Sequence, residues 1–112
     1  MSDGPLAQRK CQPCEGGTEP LPPSAAQQLL KDVSGWELVD GKLIRKTVTC
    51  KDFLDAVGLI QQIAPIAEAE DHHPDLHLTR YKRLTIELST HAIGGLSEND
   101  FILAAKINQL LS

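Results

Sequence analysis

Helical and alternating hydrophobic patterns take turns along this chain. Leu29, Leu30 and Val33 form a short apolar face at helical spacing. Ser24-Ala25-Ala26-Gln27 before them has the form of a capping box, so a first helix is expected to open at Ser24 and to stop at Gly35. Trp36 and Leu38 then alternate with Glu37, Asp40-Gly41 signals a tight turn, and Leu43 to Val48 is rich in β-branched residues, which together predict a hairpin. Phe53, Ala56, Val57, Ile60, Ile63, Ala64 and Ala67 return to helical spacing. This second helix is expected to start after Thr49, with Asp52 as its capping partner. It should kink at Pro65 and end by about His72, because the residue before Pro74 is pushed out of the α region.

A second hairpin follows. Leu76 and Leu78 alternate with His77 and Thr79, a turn falls near Arg80 to Lys82, and Leu84, Ile86 and Leu88 alternate with Thr85, Glu87 and Ser89. Ser97-Glu98-Asn99-Asp100 caps a last helix whose apolar face uses Phe101, Ala104, Ala105, Ile107, Leu110 and Leu111. The order is helix, hairpin, helix, hairpin, helix. No parallel crossover is needed, so the expected fold is α+β, a four-stranded antiparallel sheet with three helices on one face. Residues 24–112 form this domain. Residues 1–23, rich in Gly and Pro, read as a flexible tail without regular structure.

Composition narrows the function. The chain has 112 residues, one domain's worth, and a core this small gains from self-association. Only four side chains are aromatic, two Phe, one Tyr and one Trp, which leaves Leu, Ile, Val and Ala to fill the core. Net charge is −4 without a Lys/Arg cluster, which argues against direct nucleic-acid binding. No apolar run approaches a membrane span, and residues 1–17 lack the apolar centre of a secretory signal, so the cytoplasm is the expected compartment. Three cysteines suit a reducing compartment better than a disulfide framework. Cys11-x-x-Cys14 has no second pair at finger spacing and reads as tail thiols rather than a zinc site.

The chemistry is concentrated in residues 68–91, which hold all four histidines. Glu68 and His72 are one helical turn apart, so the carboxylate is expected to orient that imidazole. His72 and His73 are expected at a helix-to-strand corner whose exit Pro74 locks. His91 is expected at the end of the last strand, on the face of Ser89 and Glu87. If the corner and the strand end meet, three imidazoles share one pocket, and side chains that titrate near neutrality suit general acid/base catalysis. A metal site drawn from His72, His73, His77 and His91 with Asp71 or Glu68 is disfavoured, because adjacent histidines rarely converge on one ion and no HExxH-type spacing is present. Helix capping alone accounts for Asp100.

Glu68-x-x-x-His72-His73-Pro74, then Ser89-Thr90-His91, then Gly95-Leu96-Ser97-Glu98-x-Asp100 resemble the pterin-4a-carbinolamine dehydratases over roughly residues 24–110. The resemblance implies the same α+β fold, assembly into homodimers or homotetramers, and no cofactor or metal. It implies removal of water from 4a-hydroxytetrahydrobiopterin-type substrates to give the quinonoid dihydropterin, a step in tetrahydrobiopterin recycling. His72, His73 and His91 match the family's catalytic histidines and Glu68 their acidic partner. Asp71, His72, His73, Ser89, Thr90, His91, Ala92 and Asp100 match the substrate-contacting positions. The chain departs from animal members at Leu76, where they carry an aromatic residue, in a longer second hairpin, and at Pro65. His73 and His91 are the expected acid/base pair, with His72 assisting. The alternative that the resemblance raises is a non-catalytic binding module, a dimerisation or assembly cofactor for a protein partner.

Overall fold

The computed structural model describes residues 4–11 and 19–111. Four helices, α1 (Gly4–Ala7), α2 (Pro23–Leu30), α3 (Phe53–Glu70) and α4 (Glu98–Leu111), accompany four strands, β1 (Glu37–Val39), β2 (Leu43–Thr49), β3 (Asp75–Thr79) and β4 (Arg83–Leu88). The strands form one antiparallel sheet in the order β1-β2-β4-β3. The register places Ile44 opposite Leu88, Val48 opposite Leu84 and Leu76 opposite Ile86, so the alternating apolar residues line up on one face. Ile44, Leu84, Ile86 and Leu88 on that face have no exposed surface and join the core with α3 and α4. The α+β layering expected from the pattern is the fold observed. No helix among the described residues is long and apolar enough to cross a membrane.

Both hairpin turns sit where the pattern places them. Asp40 and Gly41 have φ of 53° and 68°, the paired left-handed conformation that matches strand twist. Arg80 and Tyr81 do the same with φ of 48° and 54°, although neither is a residue that favours positive φ. The caps depart from expectation. Helix α2 starts at Pro23 with Pro22 at the cap position and no side-chain capping bond, so Ser24 lies inside the helix and Gln27 closes no box. Proline at the first turn needs no such bond, because the N–H it lacks would have been unpartnered anyway. Helix α3 is capped by Asp52 itself, whose side chain accepts from the Asp55 N–H, while Thr49 ends β2. Pro65 is accommodated within α3 on an exposed turn.

The N-terminal segment is the main departure. Within the supposed tail, Gly4–Ala7 is helical and packs on α4, with Leu6 and Ala7 buried. Lys106 of α4 donates to the Ala7 carbonyl at 2.6 Å, and Arg9 pairs with Glu98 at 2.9 Å. This cover explains why α4 is buried nearly all round, including Ile102 and Leu103, which lie outside its expected apolar face. A helix with only one core face cannot bury those residues. Cys14, the second member of the CxxC pair, lies outside the described residues.

Candidate active site

Helix α3 ends because Asp71 takes the left-handed conformation, with φ 51° and ψ 41°, and closes its N–H onto the Ala67 and Glu68 carbonyls. The His72 N–H reaches back to the Ala67 carbonyl at 3.1 Å, so the chain turns sharply before Pro74. This turn overturns the expected pairing of Glu68 with His72. The helix stops at Glu70, so His72 no longer stands one regular turn above Glu68. Instead His73 Nε2 meets Glu68 Oε2 at 2.5 Å, in an exposed pair. His72 turns inward, with its side chain 11% exposed, and its Nε2 meets Asp100 Oδ1 at 2.6 Å.

Asp100 has no exposed surface. Its Oδ2 accepts from Thr90 Oγ1 at 2.9 Å and from the Ser97 N–H at 3.0 Å. The second contact is the helix cap anticipated from Ser97-x-x-Asp100. The first, together with the His72 contact, goes beyond capping. Thr90 has one hydroxyl proton and gives it to Asp100, so Ser97 is the donor in its 2.8 Å contact with Thr90 Oγ1. One carboxylate therefore ties α4, the segment after β4 and the corner after α3.

His91 departs from its expected place on a strand. Strand β4 ends at Leu88, and Thr90 pairs with Gly95 in an isolated bridge, its N–H donating to the Gly95 carbonyl at 2.7 Å. Between them His91–Ile93 makes a single 3-10 turn, closed by Gly94 with φ 67°. The Asp100 and Gly95 bonds to Thr90 hold the base of this loop, and His91 stands exposed on it. Its ring makes no hydrogen bond among the described residues.

The two ends meet. His72, His73 and Asp71 from the corner, and Ser89, Thr90, His91 and Ala92 from the loop, line one cavity of about 540 Å³. Glu68 and Asp100 stand behind the imidazoles rather than on the wall. His77 is elsewhere, on the open face of the sheet, where its Nε2 meets Glu87 Oε1 at 3.2 Å. Glu87 also accepts from Arg45, which holds its carboxyl below the usual range, with His77 adding to the effect. Among the described residues no three His, Cys, Asp or Glu side chains are grouped to hold a metal ion.

Four wall residues lay outside the predicted site: Cys11, Ala69, Glu70 and Asn99. The Cys11 N–H donates to Glu70 Oε1 at 2.8 Å, and its thiol points to the Asn99 carbonyl, with Sγ 3.6 Å away. Burial, and then the negative charges of Glu70 and Asp100, push the Cys11 thiol up to about 12. It is therefore a neutral wall group and a poor nucleophile at neutral pH. Glu70 and Asn99 flank motif residues, but contacts to a segment 59 and 88 residues away leave no periodic trace.

Comparison with known proteins identifies the family. The family described as Pterin 4 alpha carbinolamine dehydratase matches residues 19–110. A protein of Nitrosomonas eutropha whose name places it in this family is 47% identical over 95% of this chain and 93% of its own length. Pterin-4-alpha-carbinolamine dehydratase 2, mitochondrial, of Arabidopsis thaliana is 46% identical over 94% of this chain and 58% of that protein. A crystal structure described as a transcriptional coactivator/pterin dehydratase from Brucella melitensis superposes with a TM-score of 0.77 at 35% identity, covering 84% of this chain and 100% of the other. The chain belongs to the pterin-4a-carbinolamine dehydratase family of hydro-lyases.

Proposed function

We propose that this protein dehydrates 4a-hydroxytetrahydropterins, with His73 and His91 as the acid/base pair and His72 as their assistant. The observation that supports this reading is the convergence of three imidazoles on one cavity, from segments that are far apart in the chain. In the reaction the C4a–O bond breaks and the oxygen leaves with the bonding pair. An imidazolium protonates it, so the leaving group is water rather than hydroxide. A second imidazole takes the N5 proton, and the freed N–H pair forms the N5=C4a double bond of the quinonoid dihydropterin. One histidine gives a proton and another gains one, so the enzyme is restored by exchange with solvent.

The hydrogen bonds support a division of labour. Carboxylates accept at Nε2 of both His72 and His73, so each ring carries its proton there and leaves Nδ1 as the acceptor when neutral. That suits His73 as the base at N5 and the unpartnered His91 as the acid at the C4a oxygen. Asp100 and Glu68 act as positioning residues that fix the ring orientations. Ser89, Thr90, Ala92 and Asp71 would contact the pterin as wall residues. His73→Ala and His91→Ala should each slow dehydration of a 4a-hydroxytetrahydropterin by roughly 10²–10⁴-fold in a stopped-flow assay, the usual worth of a positioned acid or base. Full rate in either variant would overturn the assignment.

A further inference from the structure

The cavity is completed by an N-terminal segment that lies before the family-model match, although the aligned relatives extend into it. The family match starts at residue 19, whereas residues 4–11 cross to α4 and end on the cavity wall. The anchors of this segment are specific. Leu6 and Ala7 are 3% and 6% exposed. Lys106 donates to the Ala7 carbonyl, Arg9 pairs with Glu98, and the Cys11 N–H binds Glu70 Oε1.

Two of these contacts act on the site. Cys11 is itself part of the wall, and so is Glu70. The Glu70 side chain is 9% exposed and is held from both sides, by the Cys11 N–H on Oε1 and by Lys106 Nζ 3.8 Å from Oε2. Lys106 also grips the Ala7 carbonyl, so the segment and the carboxylate share an anchor. Neither Cys11 nor Glu70 hydrogen-bonds to the carboxylates that orient His72 and His73. The segment thus shapes the cavity without entering the proton-transfer geometry.

Resting on the dehydratase reading above, we propose that residues 4–11 are a fitted wall of the pterin cavity. They fix Glu70 and close the end beside Asn99, and so set how tightly a pterin is held rather than how fast it reacts. The bond changes of the reaction are unaffected. Only binding common to ground state and transition state depends on this wall, and such binding appears in KM and not in kcat.

The test uses the full chain. Leu6→Asp puts a charge into a buried site and should undock the segment. Cys11→Phe leaves the anchors in place and fills the cavity. For dehydration of a 4a-hydroxytetrahydropterin, Leu6→Asp and Cys11→Phe should each raise KM about tenfold with kcat within about twofold. Hydrogen exchange of the Leu6–Cys11 amides should slow when a non-reactive pterin analogue binds. Wild-type KM in both Leu6→Asp and Cys11→Phe overturns the proposal, as does a fall in kcat at unchanged KM. If Leu6→Asp fails to fold, Cys11→Phe decides alone: a raised KM supports the wall and an unchanged KM rejects it. Active wild-type enzyme with indifferent variants sinks the wall and leaves the dehydratase reading standing. Wild-type protein that neither binds nor converts a pterin overturns both.

Discussion

The Asp100 carboxylate meets an imidazole, a hydroxyl and a backbone N–H without any contact with solvent. Its helix-capping role is local and was readable from Ser97-x-x-Asp100. Its grip on His72, 28 residues away, was not. Replacing it leaves buried donors without an acceptor. Asp100→Ala should therefore cost about 1–3 kcal/mol of stability in urea denaturation and also slow turnover, because His72 loses its orienting partner. Unchanged kcat in a folded variant would show that His72 needs no orientation. Cys11 offers a second check at this scale. With its thiol pushed up to about 12, little thiolate exists near pH 8, so iodoacetamide should label the Cys11 peptide far more slowly than a small free thiol. Labelling should accelerate as pH rises. Mass spectrometry follows both, and labelling at the free-thiol rate would contradict the burial.

Between residues and fold, the ends of elements decide where the chemistry lies. The spacing of apolar positions locates α3 and β4, but not their last residues. Asp71 in a left-handed conformation shortens α3, and the Thr90–Gly95 bridge lifts His91 out of the strand. Both ends depend on hydrogen bonds that hydrophobic periodicity does not encode. The open face of the sheet shows a different element-scale effect. Arg45 on β2, Glu87 on β4 and His77 on β3 form a cross-strand ladder. Because Glu87 titrates lower in the folded protein than in the unfolded chain, its contribution is present above the ordinary carboxylate range. It is lost as pH falls through the folded value. Glu87→Gln should be less stable than wild type at pH 7 by about 0.2–1 kcal/mol, since the pair is partly exposed. The gap should narrow as the pH is lowered from 7 to 3. Thermal melts of the two proteins at both values measure it, and a gap that widens in acid would contradict the sign.

At the scale of the molecule, α4 is the hub. It packs against α1, α2 and α3, and its Phe101, Leu103 and Ile107 have no exposed surface. Asn108 near its end accepts from Trp36 Nε1 and from Lys46 Nζ, each at 2.9 Å, and donates to the Ser34 carbonyl at 3.0 Å. It thereby joins the α2–β1 connection and β2 to the helix, at residues that do not line the cavity shared by His72, His73 and His91. Asn108→Ala should cost about 1–3 kcal/mol, because the buried Trp36 N–H loses its acceptor. It should leave kcat unchanged. The fluorescence of Trp36, the only tryptophan in the chain, reports the unfolding midpoint directly.

What the chain determined by itself was whatever repeats or turns locally: three helices, two hairpins and their turns, the layered α+β order, and the motif that resembles the dehydratases. These follow from side-chain spacing at periods of 3.6 and 2 and from the conformations that Pro, Gly and Asp allow. Tertiary structure alone decided which carboxylate serves which histidine, how His91 reaches the cavity, and that Cys11 from the supposed tail becomes part of its wall. The Glu68–His73 pair and the Thr90–Gly95 bridge follow from how α3 and β4 end, and the His72–Asp100 and Cys11–Asn99 contacts join residues 28 and 88 positions apart. Such contacts depend on where two surfaces meet in space, and no spacing along the chain records that.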